Sequence, residues 1–385
     1  MGQQEPATRQ RPLVGADLEA FLQRLPKTEL HLHLDGSLRP ATALELSRER
    51  HLDAGTDLAA MRTALTAPPH LRDQAELLRA FDLPIAILQD TESLQRATAE
   101  LVEDVAADGT RYVEIRWAPA LHLRGGLALD DVMEAVVAGA RQGVTRVEAA
   151  ARAGQGVPGP AGHSSPASVA PFAVRLIAVA MRTHPPETSV RVAEAAGRFA
   201  GRGLTGFDLA GPEAASPDPL LHAQAFAAAR SAGLGITIHA GEWGGAAQVR
   251  RALRLNPARI AHGAPAIDDP ALVAELRDRG ITLDLCPTSN VQAGLVRRPG
   301  EHPLPRFLRA GVPITLSTDD RTVAGVSLVD EYRLAIEVLG LTPRELWAID
   351  RHGLEAAFLA DDEPLRADLL ASFDRFAAGE RELAS

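Results

Sequence analysis

The chain has 385 residues, of which 46% are hydrophobic, and its formal net charge at pH 7 is −10. An acidic chain of this kind argues against nucleic acid or an anionic membrane surface as a partner. No apolar run approaches the roughly 20 residues of a transmembrane helix, and the N-terminus has no signal-peptide hydrophobic region. Cys286 is the single cysteine, which excludes an intrachain disulfide. We therefore expect a cytoplasmic protein.

The sequence predicts a short tail followed by one domain. Residues 1–14 are polar and contain Pro6 and Pro12, which predicts a flexible N-terminal tail, and residues 15–385 are predicted to form a single domain. Within this domain, the segment 153–171 is rich in Gly, Pro and Ser and predicts a flexible loop insertion, because such a composition cannot bury a core. A domain linker is the alternative, but strands and helices alternate in the same way on both sides.

Eight short apolar runs predict eight β-strands. Most are apolar on both faces, which is typical of parallel strands covered by helices. The runs are Thr28–Leu34, Tyr112–Trp117, Val174–Met181, Gly206–Ala210, Gly235–His239, Arg259–His262, Ile281–Cys286 and Pro313–Ser317. Because amphipathic helical segments alternate with these runs, we predict an α/β fold, and eight such units predict a closed (β/α)8 TIM barrel.

One connection in this alternation is much longer than the others. The segment Pro40–Glu103 separates the first two strands and has the pattern of a helical region. We predict that this additional helical segment lies over the mouth of the barrel.

Polar side chains occur at or just past the C-terminal ends of several strands. His31 and His33 point to the same face of the first strand, because side chains alternate along a strand. The later members of this set are His239, Glu242, His262, Asp319 and Asp320. Each alone is explained by a helix cap or a structural histidine, but the strand ends of such a barrel meet at one rim. The set therefore predicts a metal site, and three His and one Asp suit Zn²⁺ with a position left for water.

Two further residues would supply acid–base chemistry at this rim. Glu242 lies three residues after His239, close to the metal without having to bind it, so it could move protons. His262 offers a second acid or base, or an electrostatic partner for the attacking oxygen. This arrangement predicts metal-assisted hydrolytic attack on an electrophilic carbon.

Six motifs, in this order, resemble those of the adenosine deaminase family within the amidohydrolase superfamily. The resemblance extends from about Leu25 to about Tyr332. The motifs are Leu25–Leu38 (LPKTELHLHLDGSL), Gly206–Gly211 (GFDLAG), His239–Glu242 (HAGE), Arg259–Gly263 (RIAHG), Cys286–Asn290 (CPTSN) and Ser317–Asp320 (STDD). The family would perform zinc-dependent hydrolytic deamination of a 6-aminopurine nucleoside, here adenosine or 2′-deoxyadenosine, to the 6-oxopurine and ammonia.

The resemblance implies a chemical role for six residues of the rim. Glu242 would protonate N1 of the purine and make C6 electrophilic. His262 would orient or deprotonate the attacking water and stabilise the hydroxide. The remaining four would bind one Zn²⁺: His31, His33, His239 and Asp319.

The resemblance also implies contacts to a small-molecule purine nucleoside. Asp320 would form a hydrogen bond with N7, and the backbone N–H of Gly211 would meet N3, where the absence of a side chain lets the ring approach. Asp35 would bind a ribose hydroxyl, and His33 would contact the sugar as well as the metal.

Three positions depart from the usual pattern of the family: Ala261, Arg321 and Pro212. None removes a proposed catalytic group. Arg321 and Pro212 are expected near the mouth of the substrate site, so they bear on substrate identity.

Other functions stay open at this point. Free adenine is one alternative substrate, although adenine-acting relatives tend to carry Glu where Asp35 stands. Aminodeoxyfutalosine is another, and its 5′ substituent would need a wider mouth, supplied by Arg321 or by Pro40–Glu103. A catalytically silent purine-binding relative is the alternative outside enzymes, but it should have lost a zinc ligand or the acid, and all are present here.

Several residues that could suggest chemistry are given structural interpretations. We expect Trp117 to pack in the core or rim, His184 to lie in a surface loop, and Cys286 to be a small buried residue rather than a nucleophile. Seven histidines have no partner spacing and stay unassigned: His51, His70, His122, His163, His222, His302 and His352.

Overall fold

The structure is a computed structural model. It describes residues 13–383 except 53, 69–70, 72–73, 159–163, 166–169, 215–217 and 360–363. Eight parallel strands pair in chain order around a barrel, which confirms the predicted (β/α)8 fold. The strands are β1 (Lys27–His33), β2 (Thr110–Trp117), β3 (Ala173–Met181), β4 (Leu204–Ala210), β5 (Gly235–Ala240), β6 (Arg259–His262), β7 (Thr282–Leu285) and β8 (Ile314–Leu316).

The barrel closes next to the polar rim. Backbone N–H of His33 donates to the carbonyl of Asp319 at 2.7 Å, and backbone N–H of Asp319 donates to the carbonyl of His31 at 3.1 Å. Leu32 and Asp319 thereby form a parallel bridge between β1 and the residues after β8. The closing hydrogen bonds therefore fix the backbone of three candidate metal ligands relative to one another.

Helices surround the strands, and the described residues include sixteen α-helices. They are α1 (Gly15–Arg24), α2 (Pro40–Glu49), α3 (Leu58–Leu65), α4 (Gln74–Arg79), α5 (Asp82–Ile87), α6 (Thr91–Ala107), α7 (Leu129–Arg152), α8 (Pro186–Arg198), α9 (Ala223–Ser231), α10 (Gly245–Leu253), α11 (Pro270–Asp278), α12 (Pro287–Gln292), α13 (Leu304–Arg309), α14 (Leu328–Glu337), α15 (Pro343–Ala356) and α16 (Pro364–Gly379). Short 3₁₀ helices span Pro119–Leu121, Pro219–His222, Ala264–Asp268, Pro299–Glu301 and Arg381–Leu383.

The segment between β1 and β2 is helical, as predicted, and carries α2 to α6. Local signals explain two of its helix starts. Asp57 accepts a hydrogen bond from the backbone N–H of Ala60 at the start of α3, and Asp90 accepts one from Ser93 at the start of α6. Between these caps, Leu77 and Phe81 reach the cavity at the mouth of the barrel.

The interior of the barrel contains a buried network of charges beneath the rim. Arg116 on β2 donates to Asp208 on β4 at 2.9 Å and lies 3.6 Å from Asp284 on β7. Arg259 on β6 pairs with the same Asp284 at 3.2 Å and with Glu114 on β2. All five side chains are buried. Since an unpaired charge at this depth is costly, each member depends on the others for compensation.

Phe358 packs at the end of the barrel opposite to the rim. Its ring packs against Gly235 so closely that a Cβ on Gly235 would lie 2.2 Å from Cδ1 of Phe358. The Arg259 guanidinium stacks 3.8 Å from the centroid of the same ring. Phe358 therefore packs at the N-terminal ends of β5 and β6.

Parts of the predicted domain organisation lie outside the described residues. Residues 1–12 of the predicted tail are not described, and of the predicted loop 153–171 the residues 159–163 and 166–169 are not. Within that loop, Val157–Pro158 pairs antiparallel with Ser164–Ser165. The division into a tail, one domain and a flexible insertion stays a prediction. No helix in the described part of the chain is long and apolar enough to cross a membrane.

Candidate active site

The four candidate metal ligands converge at the C-terminal rim. Nε2 of His33 lies 3.2 Å from Nε2 of His31 and 3.2 Å from Nε2 of His239. Oδ1 of Asp319 lies 3.0 Å from Nε2 of His31 and 3.4 Å from Nε2 of His33. Each of the four residues offers one possible metal-ligand atom, and these four atoms all lie within 4.8 Å of one another. Ligand atoms about 2.0–2.2 Å from a common Zn²⁺ are separated by about 3 to 3.5 Å, so the set is compact enough to hold one ion.

The protonation of His239 supports a cation in this cluster. Its Nδ1 lies 2.8 Å from Oδ2 of Asp208, and because a carboxylate only accepts, this contact favours the tautomer with the proton on Nδ1. Nε2 of His239 therefore presents a lone pair to Nε2 of His33. A carboxylate that orients a metal-binding imidazole through its other ring nitrogen is a common feature of metal sites. The residues present thus fit a zinc-like divalent ion.

Burial favours the neutral, ligand-competent form of the histidines. Removal from water lowers the pKa of His33 to about 3 and holds the pKa of His31 well below its usual range. Burial opposes ionisation of Asp319, but the neighbouring His31 and His262 hold the pKa of this carboxyl well below its usual range. Neutral imidazoles and an ionised carboxylate are the forms that bind a divalent metal.

Two residues of the site adopt left-handed backbone conformations. His262 has a φ of 64° and Asp319 a φ of 67°. For residues other than glycine, the left-handed region is strained, and such strain persists only where the surrounding structure imposes the conformation. Here the barrel closure imposes it on Asp319, and the turn that follows β6 imposes it on His262. In these conformations the side chains of both residues lie at the cluster.

Glu242 follows β5 in a turn that another carboxylate organises. The buried Glu213 accepts backbone N–H donors from Gly241 at 2.7 Å, Trp243 at 2.8 Å and Gly244 at 2.5 Å. Burial and the charge of Asp319 raise the pKa of Glu242 to about 8. Glu242 is therefore positioned beside the cluster, and its raised pKa favours the proton-bearing form.

His262 lies beside the cluster, close to Glu242. Its Nε2 is 3.9 Å from Oε2 of Glu242 and 3.9 Å from Oδ2 of Asp319, and it has no hydrogen-bond partner among the described residues. A buried polar atom of this kind normally requires a partner, so it is available for a group in the cavity.

Asp35 is held in place by a histidine that the sequence left unassigned. Nε2 of His122 lies 2.8 Å from Oδ1 of Asp35, and Nδ1 of His122 lies 2.7 Å from the carbonyl oxygen of Leu88. The backbone N–H of Ala118 donates to the other oxygen of Asp35 at 3.2 Å. Asp35 is thereby fixed at the edge of the cavity, two residues beyond β1.

The predicted contacts to the purine also line the cavity. Gly211 follows β4 with a φ of 104°, a conformation that disfavours side chains. Asp320 packs over Gly36 so closely that a Cβ on Gly36 would lie 1.8 Å from Oδ1 of Asp320. Burial and the carboxylates of Asp319 and Glu242 hold the pKa of Asp320 well above its usual range. This shift favours the protonated carboxyl of Asp320, which can donate a hydrogen bond.

Eight of the residues described above line one cavity of about 330 Å³: His33, Asp35, Gly211, His239, Glu242, His262, Asp319 and Asp320. Much of its wall is apolar and comes from the helical segment between β1 and β2, from the end of β3 and from the loops after β2 and β5. The apolar wall consists of Leu77, Leu78, Phe81, Ile85, Leu121, Met181 and Trp243. A concave apolar site with a few convergent polar groups is typical of small-molecule pockets.

The structure corrects one prediction and clarifies three others. Arg321 is not at the mouth of the cavity: its guanidinium is buried and pairs with Asp108 at 2.7 Å, because that carboxylate attracts it away from the site. Pro212 does line the cavity. Trp117 and Cys286 are both fully buried, as expected of packing residues. Arg321 therefore gives no reason to expect a wider mouth.

Several residues of the site were not assigned a role from the sequence. Asp208 contacts His239, and Ser289 donates a hydrogen bond to Asp319. Glu213 accepts backbone hydrogen bonds in the turn that carries Glu242. Asp208 had a signal, since it is a charged residue inside an otherwise apolar strand. His122 lies 87 positions from Asp35, so no local pattern could pair them.

A barrel of this type with imidazoles and carboxylates converging at the C-terminal rim defines a metal-dependent hydrolase site. A family model described as adenosine deaminase matches residues 26–374. The chain belongs to the adenosine deaminase family.

Individual relatives agree with this assignment. The adenosine deaminase of Serratia proteamaculans is 37% identical over 344 residues, which cover 88% of this chain and 96% of that protein. The N6-mAMP deaminase of Arabidopsis is 28% identical with a TM-score of 0.76, covering 92% of this chain and 99% of that one. An amidohydrolase of Burkholderia ambifaria, solved with bound Zn, is 25% identical with a TM-score of 0.79 and 97% coverage of both chains.

Proposed function

We propose that this protein hydrolyses the C6 amino group of adenosine, and of 2′-deoxyadenosine, to give the 6-oxopurine nucleoside and ammonia. The single observation that carries the proposal is that the cluster of four ligand atoms borders a 330 Å³ cavity lined by His33, His239 and Asp319, with the carboxyl group of Glu242 in the same lining. Hydrolytic deamination needs both an activated water and a proton for the ring, and this cavity offers groups suited to each.

One zinc ion would be held by Nε2 of His31, His33 and His239 and by Oδ1 of Asp319. When bound, Zn²⁺ supplies Lewis acidity that makes water a nucleophile near neutral pH. Support comes from the neutral state of the buried imidazoles and from the proton that Asp208 fixes on Nδ1 of His239. The amidohydrolase solved with bound Zn supports zinc as the ion.

Glu242 would give its proton to N1 of the purine. This step places positive character on the ring and makes C6 more electrophilic while the oxygen of water attacks. Because burial raises the pKa of Glu242 to about 8, the proton is present at neutral pH. Over the whole reaction, one proton of water ends on N1, the other leaves with the amino group as ammonia, and the oxygen stays on C6.

The purine ring would be held by a donor at each of two ring nitrogens. N7 and N3 of adenosine only accept hydrogen bonds, so each requires a donor. Asp320, protonated because its pKa is raised, would donate to N7, and the backbone N–H of Gly211 would donate to N3. His262 would interact through Nε2 with the attacking oxygen. These contacts would align C6 with the metal cluster.

Asp35 and His33 would face the ribose. The carboxylate of Asp35 is fixed by His122 and by the backbone N–H of Ala118, so it can accept a hydrogen bond from a sugar hydroxyl without rearranging. His33 would contact the sugar from the metal side. This arrangement favours a nucleoside over free adenine, which has no hydroxyl to occupy Asp35.

The charge of the cavity favours a neutral substrate over a nucleotide. Five acidic residues line it among those described: Asp35, Asp82, Glu242, Asp319 and Asp320. The one described cationic side chain in the lining, Arg124, is largely exposed. Of the five acidic residues, Glu242 and Asp320 have raised pKa values and Asp319 would bind the metal, which leaves Asp35 and Asp82 as the negative charges that disfavour a 5′-phosphate, such as that of the substrate named for the Arabidopsis neighbour.

The test is a comparison of kcat/KM on one zinc-loaded preparation. The panel contains adenosine, 2′-deoxyadenosine, adenine, aminodeoxyfutalosine and N6-methyl-AMP, with ammonia release as the readout. We expect adenosine and 2′-deoxyadenosine to have the highest kcat/KM. A higher value for any of the other three would replace the substrate assignment, and purine binding without turnover of any of them would support the silent binding relative.

A further inference from the structure

A chain of three buried side chains leads away from the cavity behind His262. Nδ1 of His262 lies 3.1 Å from Nδ2 of Asn290, and Oδ1 of Asn290 lies 3.0 Å from Nε2 of His302. The chain ends at the backbone N–H of Leu304, 3.2 Å from Nδ1 of His302. His262, Asn290 and His302 are each at most 3% exposed, so water does not compete for these hydrogen bonds.

The backbone N–H of Leu304 fixes which atom donates and which accepts in each of these hydrogen bonds. The N–H of Leu304 can only donate, so Nδ1 of His302 must accept through a lone pair. Burial lowers the pKa of His302 to about 3, so its imidazole is neutral and carries its one proton on Nε2. That N–H donates to Asn290, which requires the amide oxygen to face His302.

The same order of donors and acceptors continues from Asn290 to His262 at the rim. With the oxygen of Asn290 facing His302, its NH₂ group faces His262 and donates to Nδ1. Nδ1 of His262 therefore holds a lone pair, and the proton of the imidazole is on Nε2. Nε2 is the atom on the cavity side, 3.9 Å from Glu242 and without a partner among the described residues.

We infer that Asn290 and His302 are positioning residues that make His262 a hydrogen-bond donor, and not a base, toward the attacking water. The inference rests on the proposed function for the identity of that water. Since Nε2 already carries a proton, it cannot take one from the water. The proton that the water loses goes instead to the carboxylate of Glu242, which has given its own proton to N1 and lies 3.9 Å from Nε2, and Glu242 then passes this proton to the departing amino group. His262 stabilises the negative charge that develops on the attacking oxygen.

The direct test is the tautomer of His262 in the zinc-loaded, substrate-free wild-type protein. Long-range ¹H–¹⁵N spectra of histidine-labelled protein distinguish an imidazole protonated on Nε2 from one protonated on Nδ1. A His262→Asn sample assigns the resonances. We expect the Nε2–H form of both His262 and His302. The Nδ1–H form at His262 would overturn the inference. This readout needs no turnover, so it separates failure of this inference from failure of the proposed substrate.

Variants at His302 test the relay by kinetics. His302→Gln keeps an N–H where Nε2 stood, whereas His302→Leu removes it. We expect His302→Leu to lower kcat by about tenfold with unchanged zinc content, to leave KM nearly unchanged, and to mix the two tautomers of His262. We expect His302→Gln to restore most of the activity and the single tautomer. Equal losses in both variants with an unchanged His262 tautomer would indicate a structural role only and would contradict the relay.

A variant at Asn290 is independent of any change at His302. Asn290→Leu is similar in volume and removes the donor to Nδ1 of His262. We expect a loss of kcat larger than in His302→Leu and the appearance of the Nδ1–H form of His262. A wild-type tautomer and wild-type kcat in a folded, zinc-loaded Asn290→Leu protein would also overturn the inference.

Discussion

The hydroxyl of Ser289 donates to Oδ2 of Asp319 at 2.6 Å, which leaves Oδ1 of the same carboxylate facing His31 and His33. The two oxygens of Asp319 therefore have separate partners. Ser289 lies at the start of α12, in the segment after β7, whereas Asp319 follows β8. A neighbouring strand unit thus sets which oxygen is presented to a metal.

Replacement of Asp319 should remove metal as well as activity. Asp319→Ala deletes the only carboxylate among the four proposed ligands, so we expect lower zinc content together with a large loss of kcat. Metal analysis after dialysis provides the measurement. Asp320→Asn is the matched control, since it alters the adjacent carboxyl and should keep zinc while weakening substrate binding. Full zinc occupancy in Asp319→Ala would refute the ligand assignment.

Replacement of Glu242 should separate chemistry from metal binding. Glu242→Gln keeps the size of the side chain but cannot supply the proton for N1. We expect kcat to fall by several orders of magnitude while zinc content stays at the wild-type level. Steady-state kinetics and metal analysis on the same sample make the comparison. Near-normal turnover would show that another group protonates the ring.

A methyl group at Gly36 should disturb Asp320 specifically. A Cβ at this position would lie 1.8 Å from Oδ1 of Asp320, so the carboxyl must move. We expect Gly36→Ala to raise KM for adenosine and to lower kcat/KM, with zinc retained. Gly379→Ala serves as the control, because a Cβ there meets no described atom within 4 Å. Unchanged kinetics for Gly36→Ala would mean that the position of Asp320 is unimportant.

His122 should influence recognition of the sugar. His122→Leu removes the contact to Oδ1 of Asp35, so we expect KM for adenosine to rise about tenfold with little change in kcat. Inhibition by free adenine should be unaffected, since adenine carries no ribose. His122→Gln, which can still donate to Asp35, should lie close to the wild type. If His122→Leu weakened inhibition by adenine as much as it raised KM for adenosine, the substitution would be acting on the whole cavity and not on the sugar contact.

Asp350 should make stability depend on pH. Its carboxyl accepts hydrogen bonds from the backbone N–H of Thr28 at 2.8 Å and from the hydroxyl of Tyr332, but burial raises its pKa to about 7. The unfolded chain releases this proton at about pH 4, whereas the folded protein keeps it to about pH 7. Between these limits the folded state binds more protons, so the free energy of unfolding falls as pH rises.

Asp350→Asn removes this titration and keeps an oxygen for both donors. We expect the free energy of unfolding to decrease less between about pH 5 and about pH 8 in the variant than in the wild type, as measured by urea denaturation. Part of the slope should persist, because burial also raises the pKa of Glu331 to about 8. Asp374→Asn, at an exposed position, is the control. An identical slope in Asp350→Asn would contradict the assignment.

Local pattern was enough to predict the barrel and the residues that converge at its rim. The eight apolar runs match β1 to β8 to within a few residues, because parallel strands buried on both faces leave a strong signal. His31, His33, His239 and Asp319 could be chosen because strand ends converge in this fold. The short pairing of Val157–Pro158 was not predicted, since Gly, Pro and Ser dominate that segment.

Side-chain direction and distant partners could not be predicted in this way. Arg321 follows two acidic site residues, and only the position of Asp108 on another element shows that it points away from the cavity. His302 and His122 were left unassigned because their partners depend on tertiary packing.

Asp208 contacts both His239 at the rim and Arg116 inside the barrel. Protein engineers often treat the loops of such a barrel as interchangeable parts on an inert scaffold. If the rim alone were grafted onto a barrel with an ordinary aliphatic interior, His239 would be transferred without Asp208. Its imidazole would then lack the carboxylate that favours a proton on Nδ1. A successful transplant would have to include the inward-facing side chains of β2 and β4.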